Sequence, residues 1–283
     1  MKVAEALREA AARLARTSDT ARLDAELLMA HALSVSRSDL LLRHMAEPAP
    51  ASFAALVDRR AAHEPLAYIV GEQEFFGLTL AVGPGVLIPR GDSECVVEAA
   101  LAAAPAARRV LDMGTGSGAL LLALLDQLPQ AAGVGIDGSP SALAMAAANA
   151  ARLGLARRAD MLLRDWTQPG WADDLGRFDL VISNPPYVEQ AAPLEPDVRD
   201  YEPASALFAG PEGLDDYRRI IPQLPQLLSE NGVAVLEIGA SQAAVVSEIA
   251  RNHGFAVEVR QDLGGRDRAL VLRLTLGKGE SSS

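Results

Sequence analysis

The residues best suited to chemistry are Asn184, Pro185, Pro186 and Tyr187, which follow the mostly apolar run Phe178-Asp179-Leu180-Val181-Ile182-Ser183. Such a run is expected to be a buried strand, leaving the four residues at its carboxyl end. Proline fixes its backbone angle and has no N–H, so two in succession present carbonyl acceptors in a set direction. Asn184 adds a side-chain carbonyl acceptor and Tyr187 a ring. Acceptors beside a flat ring suit a planar NH2 group held by its hydrogens. The chemistry implied is transfer of a group onto that nitrogen.

The other reactant needs its own cradle. Gly114, Gly116 and Gly118, with Thr115 and Ser117 between them, separate the predicted strand Val110-Leu111-Asp112 from a helix over Leu120 to Leu128. Glycines there let the backbone approach a ligand at a helix N-terminus. Asp137 follows the next strand, Gly133-Val134-Gly135-Ile136, where an acid can accept from both ribose hydroxyls. The run Gly114 to Ala119 also satisfies a dinucleotide fingerprint, so the turn alone leaves a nicotinamide cofactor open. Asn184 to Tyr187 decide the matter, because hydride transfer has no use for them and methyl transfer to an sp2 NH2 does. Ligands of open α/β sheets lie beyond the carboxyl ends of the strands. Gly114, Asp137 and Asn184 are therefore expected to face one crevice that holds S-adenosyl-L-methionine and leaves S-adenosyl-L-homocysteine.

Positioning that crevice requires alternating strands and helices, which run from Arg108 onward. Further strands are expected at residues 160–163, 178–183, 233–238, 256–260 and 269–274, and Ser139-Pro140-Ser141 opens a helix. The pattern specifies an α/β fold with a largely parallel, doubly wound sheet over residues 90–276, which the methyl-transfer reading of Asn184 to Tyr187 would make a Rossmann-like class I methyltransferase domain. Ahead of it, Val3, Leu7, Ala10 and Leu14 draw one apolar stripe along a helix, and Thr17-Ser18-Asp19 are expected to cap a second. Ser36 to Asp39 precede a third, and Phe53, Leu56 and Val57 mark a fourth. Residues 1–64 thus read as a small helical bundle without catalytic residues. Residues 65–89 read as a β-hairpin linker, and Asp92 or Ser93 as the cap of a helix over Val96, Val97 and Leu101. Residues 277–283 are expected, from composition alone, to be a disordered tail.

Composition narrows the partners. With 26 Lys and Arg against 37 Asp and Glu, and a net charge of −11, a broad basic grip on nucleic acid or anionic lipid is not expected. Charges at Glu5, Arg8 and Glu9 argue against a signal peptide, and no stretch reaches the roughly 18 apolar residues of a membrane span, so a cytoplasmic protein is expected. The one cysteine, Cys95, excludes an intramolecular disulfide framework and fits a reducing compartment. His31, His44, His63 and His253 are scattered without metal-ligand spacing, so no metal is expected. The residues do not set an oligomeric state, and a monomer is the expectation.

Asn184-Pro185-Pro186-Tyr187 with Asp112-Met113 and the glycine turn resembles the adenosylmethionine-dependent amino and amide N-methyltransferases. More narrowly, Val86-Leu87-Ile88-Pro89-Arg90 with Asp92 and Glu94 is similar to the HemK-type release factor glutamine methyltransferases. So are Tyr201 to Leu207, Glu212-Gly213-Leu214, Leu236-Glu237-Ile238-Gly239 and Gly265 to Arg268. The likeness covers nearly the whole chain, with mild departures at Gly91, Ser93 and Glu212, where the family usually has Pro, Thr and Asp. The resemblance implies methylation of the glutamine amide in the Gly-Gly-Gln motif of peptide chain release factors, docked on the N-terminal helices. It places the cofactor on Gly114 to Gly118, Asp137, Trp166 and Asn184, and the substrate on Asn184, Pro185, Pro186 and Tyr187. Without it, Asp165 and Trp166 read as a loop acid and a packing ring, and Arg90 and Asp92 divide evenly between structural and substrate roles. A ribosomal-protein glutamine methyltransferase and an adenine N-methyltransferase share the central motif. Gly91 to Glu94 favour the release-factor branch, and the acidic charge disfavours nucleic acid. A binding protein without catalysis is the last alternative, and the intact motif at Asn184 stands against it.

Overall fold

Val110, Leu180 and Ile182 belong to one apolar core and Leu111, Met113 and Val181 to another, so alternate residues of two strands are buried on opposite faces. In the computed structural model, which describes residues 1–275, these strands lie at the centre of a seven-stranded sheet.

The chain begins with helices α1 (Val3–Leu14) and α2 (Ala21–Leu33) and the single turn α3 (Arg37–Asp39), which runs into a π-helical turn at Leu40–His44. Helices α4 (Phe53–Ala61) and α5 (Leu66–Val70) follow, then a hairpin of β1 (Glu72–Phe75) and β2 (Leu78–Ala81). Next come α6 (Glu94–Ala103), β3 (Arg109–Met113), α7 (Ala119–Gln127), β4 (Ala132–Asp137), α8 (Pro140–Arg152), β5 (Ala159–Leu163) and β6 (Phe178–Ser183). The chain continues through α9 (Pro196–Tyr201), α10 (Asp215–Ile220), α11 (Leu224–Leu227), β7 (Leu228–Glu237), α12 (Ala243–Asn252), β8 (Phe255–Gln261) and β9 (Asp267–Leu274).

The large sheet has the order β5-β4-β3-β6-β7-β9-β8. Its first five strands are parallel, and β9 inserts antiparallel between β7 and β8. One face packs on α6, α7 and α8 through Val96, Val97, Leu121, Leu124 and Ala150. The other packs on α10, α11 and α12 through Tyr217, Ile220, Leu224 and Val246. This is the expected doubly wound arrangement.

Met1–Glu72, Val82–Pro84 and Leu194–Glu202 form one compact unit, and Gln73–Ala81, Gly85–Pro193 and the chain from Pro203 onward form a second. The helices of the first unit run past residue 64. Pro65 begins α5 rather than ending the bundle, since a proline is tolerated at a helix start, and Ile69 joins the core of Val3, Leu7 and Leu28. The hairpin β1–β2 belongs to the sheet-bearing unit. Residues 277–283, expected to be disordered, lie outside the described residues.

Two expected caps do other work. Ser18 and Thr20 donate their hydroxyls to buried Asp24 at 2.8 Å each instead of capping α2, because a buried carboxylate beside Arg60 needs every donor it can reach. Neither Asp92 nor Ser93 caps α6; Asp92 Oδ2 instead accepts Arg266 at 2.9 Å and Arg268 at 3.1 Å. No helix among the described residues is long and apolar enough to cross a membrane.

Candidate active site

Met113 pairs with Ile136 of β4 and with Ser183 of β6, so Gly114, Asp137 and Asn184 are the next residues on three adjacent parallel strands. Strand order reverses between β3 and β6, which opens a crevice at their carboxyl ends. Ser183 Oγ donates to the Met113 carbonyl at 2.6 Å and fixes that level. A cavity of about 490 Å³ occupies the crevice, within the roughly 300–1,000 Å³ range of small-molecule sites. Gly114, Thr115, Gly116, Ser117, Asp137, Trp166, Asn184 and Pro186 all line it. Gly118, Pro185 and Tyr187 do not: Gly118 stands at the start of α7, Pro185 is buried, and Tyr187 turns toward Glu237.

The glycine turn is held from three sides. Gly114 has φ +78°, and a Cβ there would stand 3.2 Å from the Trp166 ring, so only glycine admits both the backbone and the indole. Asp137 accepts the Gly116 N–H at 3.0 Å on one oxygen and the Ser139 N–H at 2.8 Å on the other, which leaves lone pairs on both. Beneath the turn lies Asp112, fully buried, accepting the Thr115 hydroxyl at 2.7 Å. Burial pushes its carboxyl up to about 7, against the pull of Thr115. Asn149 was not expected. Its side chain donates to the Ser117 carbonyl at 2.9 Å and pairs with both the N–H and the carbonyl of Ala81, tying the turn to the hairpin.

Trp166 donates its indole N–H to Asp216 at 3.1 Å, so its ring is fixed beside Gly114. Asp165 closes its own loop, accepting the Thr167 N–H and hydroxyl at 2.8 and 2.7 Å, which holds it below the usual carboxylate range.

At the end of β6, nothing among the described residues donates to the Asn184 side-chain oxygen or to the Pro185 carbonyl. The backbone beyond them is clamped. Gln242 Nε2 donates to the Tyr187 carbonyl at 3.0 Å and to the Gly213 carbonyl at 3.1 Å, while its Oε1 accepts the Gly239 N–H at 3.0 Å. Gly213, at φ +67°, approaches so closely that a Cβ would collide with the Tyr187 carbonyl. The Tyr187 hydroxyl donates to Glu237 Oε1 at 3.3 Å. Burial, then the nearby Glu237 charge, pushes that phenol up to about 12. Sequence reasoning missed Gln242 altogether, since nothing but its place three residues after Gly239 marks it.

Residues 5–71 match the PrmC N-terminal domain family, and residues 106–253 match a methyltransferase domain. A release factor glutamine methyltransferase of Cereibacter sphaeroides is 44% identical over 282 residues, which cover 97% of this chain and 99% of that one. Another, of Moorella thermoacetica, is 43% identical over 281 residues, 96% and 98% of the two chains. A solved methyltransferase structure from Pyrococcus furiosus, 16% identical, shares the fold with a TM-score of 0.52 over 71% of this chain and 91% of that one. Identity of that order running through both the helices and the sheet leaves one assignment: the chain belongs to the release factor glutamine methyltransferase family.

Proposed function

We propose that the chain transfers a methyl group from S-adenosyl-L-methionine to the side-chain amide nitrogen of the glutamine in the Gly-Gly-Gln motif of peptide chain release factors. The observation that carries this reading is Asn184, which lines the cavity at the level that Gly114 and Asp137 share and whose side-chain oxygen, like the Pro185 carbonyl next to it, receives no donor from the described residues. The residues fit the methyl donor. Gly114 lacks the Cβ that would fill the cradle, Asp137 keeps lone pairs for ribose hydroxyls, and Trp166 offers an anchored ring. When bound, the donor supplies an electrophilic sulfonium methyl.

A carboxamide nitrogen is a weak nucleophile because its lone pair is delocalised into the carbonyl. Its proton is lost easily once the methyl is attached, so no strong base is required, and the Tyr187 phenol stays neutral near pH 7. Orientation is the main task. Asn184 and Pro185 accept the two amide hydrogens and aim the nitrogen, a form of positioning that can contribute several kcal/mol. Pro186 stiffens the turn and Tyr187, anchored on Glu237, backs it. The helices of residues 1–72 serve to dock the protein substrate. One chain carries every proposed site residue, so a cytoplasmic monomer suffices.

Incubating the chain with a release factor and the methyl donor is expected to add one methyl mass to the peptide that contains Gly-Gly-Gln. The same assay with ribosomal protein or DNA separates the alternatives, and methyl transfer only to one of those would overturn the reading. Asp137→Ala is expected to weaken binding of S-adenosylhomocysteine by roughly 10- to 100-fold, the loss of charge-assisted hydrogen bonds. Unchanged affinity by calorimetry counts against Asp137 as the ribose partner.

A further inference from the structure

The turn that joins β8 to β9 holds a large apolar side chain entirely in water. Leu263 is fully exposed, more so than any other large apolar residue among the described residues. Its neighbours supply everything that shapes the turn. The Asp262 N–H donates to the Arg266 carbonyl at 2.9 Å, and the Gly265 N–H to the Asp262 carbonyl at 2.9 Å. Asp262 Oδ1 accepts the N–H groups of Gly264 at 2.8 Å and Arg266 at 3.0 Å, while its Oδ2 accepts Arg266 Nε at 3.0 Å. Gly265, at φ +74°, provides the left-handed residue. The leucine side chain takes part in none of these bonds. A lone apolar side chain on a surface is ordinary. What sets Leu263 apart is a turn braced firmly enough to hold it out, and the place where that turn stands.

Sheet register gives the place. Ser183 pairs with Leu236 and Glu237 with Ala269, so Asn184 and the start of β9 lie at the same carboxyl edge. In strand order β9 is two steps from β6 and β8 is three. At roughly 4.8 Å per step, the turn stands about 10–15 Å across the sheet from the end of β6. Arg266 and Arg268 tie it to Asp92, and the next residue, Ser93, lines the cavity. A standard protein interface covers about 800 Å² on each partner, a disc of roughly 16 Å radius. Centred on Asn184, a disc of that size reaches the turn. We propose that Leu263 is a docking contact for the release factor, burying its side chain against apolar surface beside the Gly-Gly-Gln loop. This inference rests on the substrate proposed above, and adds a contact on the sheet-bearing unit to the docking role of residues 1–72. The turn is ordered before binding, so little freedom is lost there and the apolar area removed from water counts toward affinity.

Steady-state kinetics with a whole release factor test this directly. Leu263→Asn, similar in size but polar, is expected to raise KM roughly tenfold with kcat little changed, the signature of a lost binding contact. Affinity for S-adenosylhomocysteine and the urea midpoint should stay at their wild-type values, because no bond of the turn uses that side chain. Leu263→Met, which keeps the apolar surface, should hold KM near wild type. An unchanged KM in Leu263→Asn overturns the proposal. So does a rise that Leu263→Met shares, or a joint fall in kcat and cofactor affinity, either of which would mark a disturbed turn. If wild type methylates the release factor, a normal KM in Leu263→Asn sinks only this inference. A wild type that leaves the release factor unmethylated sinks it together with the proposed substrate.

Discussion

Asn184→Ala is expected to slow methyl transfer by roughly 10²- to 10³-fold in a single turnover, the scale of losing one preorganised group that aims a reacting atom. Cofactor affinity should fall only modestly, because Asp137 and the glycine turn are anchored without Asn184. The turn itself should survive the substitution. Ser183 stays bonded to Met113 on one side and Gln242 holds the Tyr187 carbonyl on the other, and neither bond uses the asparagine side chain. The lost rate would therefore report orientation of the amide rather than collapse of the site. Quench-flow with the methyl donor saturating separates the two, and turnover within a few-fold of wild type would sink the proposed role. Aspartate at the same position gives a second reading, since it keeps an acceptor but adds a charge beside the cationic donor.

The site was legible where local pattern and sheet register coincide. Alternating glycines after Val110 to Asp112, the acid after Ile136 and the asparagine after Ser183 each end a strand, and parallel register at Met113 brings all three to one level. What escaped were contacts set by the tertiary fold. Asn149 meets Ala81 and Ser117 at separations of 68 and 32 residues, and Gln242 meets Tyr187 at 55. Each is one polar residue beside an ordinary helix pattern, so no spacing announces it. The expected caps at Ser18 and Asp92 failed for the same reason. A buried Asp24 and a pair of guanidiniums, at Arg266 and Arg268, claimed those side chains, and neither partner is visible from the local sequence. Proline at residue 65 read as a stop and is a start, because the apolar residues beyond it still complete the helical core.

Stability should fall as pH rises from about 4.5 through about 7, opposite to the trend that salt-bridged carboxylates give. Asp112 and Glu237 are both pushed up to about 7, chiefly by burial. Thr115 opposes the shift at Asp112, and the Ser93 hydroxyl, the Arg268 charge and Tyr187 oppose it at Glu237. In the unfolded chain these carboxyls would titrate near their ordinary values, so between those values and about 7 the folded state holds more protons. The unfolding free energy then decreases with pH across that window. At about 1.4 kcal/mol per pK unit, the two groups together account for a change of several kcal/mol. Acids held below their usual range, such as Asp165, Asp179 and Asp262, act under pH 4 and leave this window to the buried pair. Urea titrations at pH 5 and pH 8 measure the slope. Asp112→Asn with Glu237→Gln should flatten it, which separates these groups from the general repulsion of a chain with net charge −11. An unchanged slope in the double variant would mean that both acids ionise in place. Asp112 would then carry its charge next to Asp137, directly beneath the turn proposed to receive the cofactor.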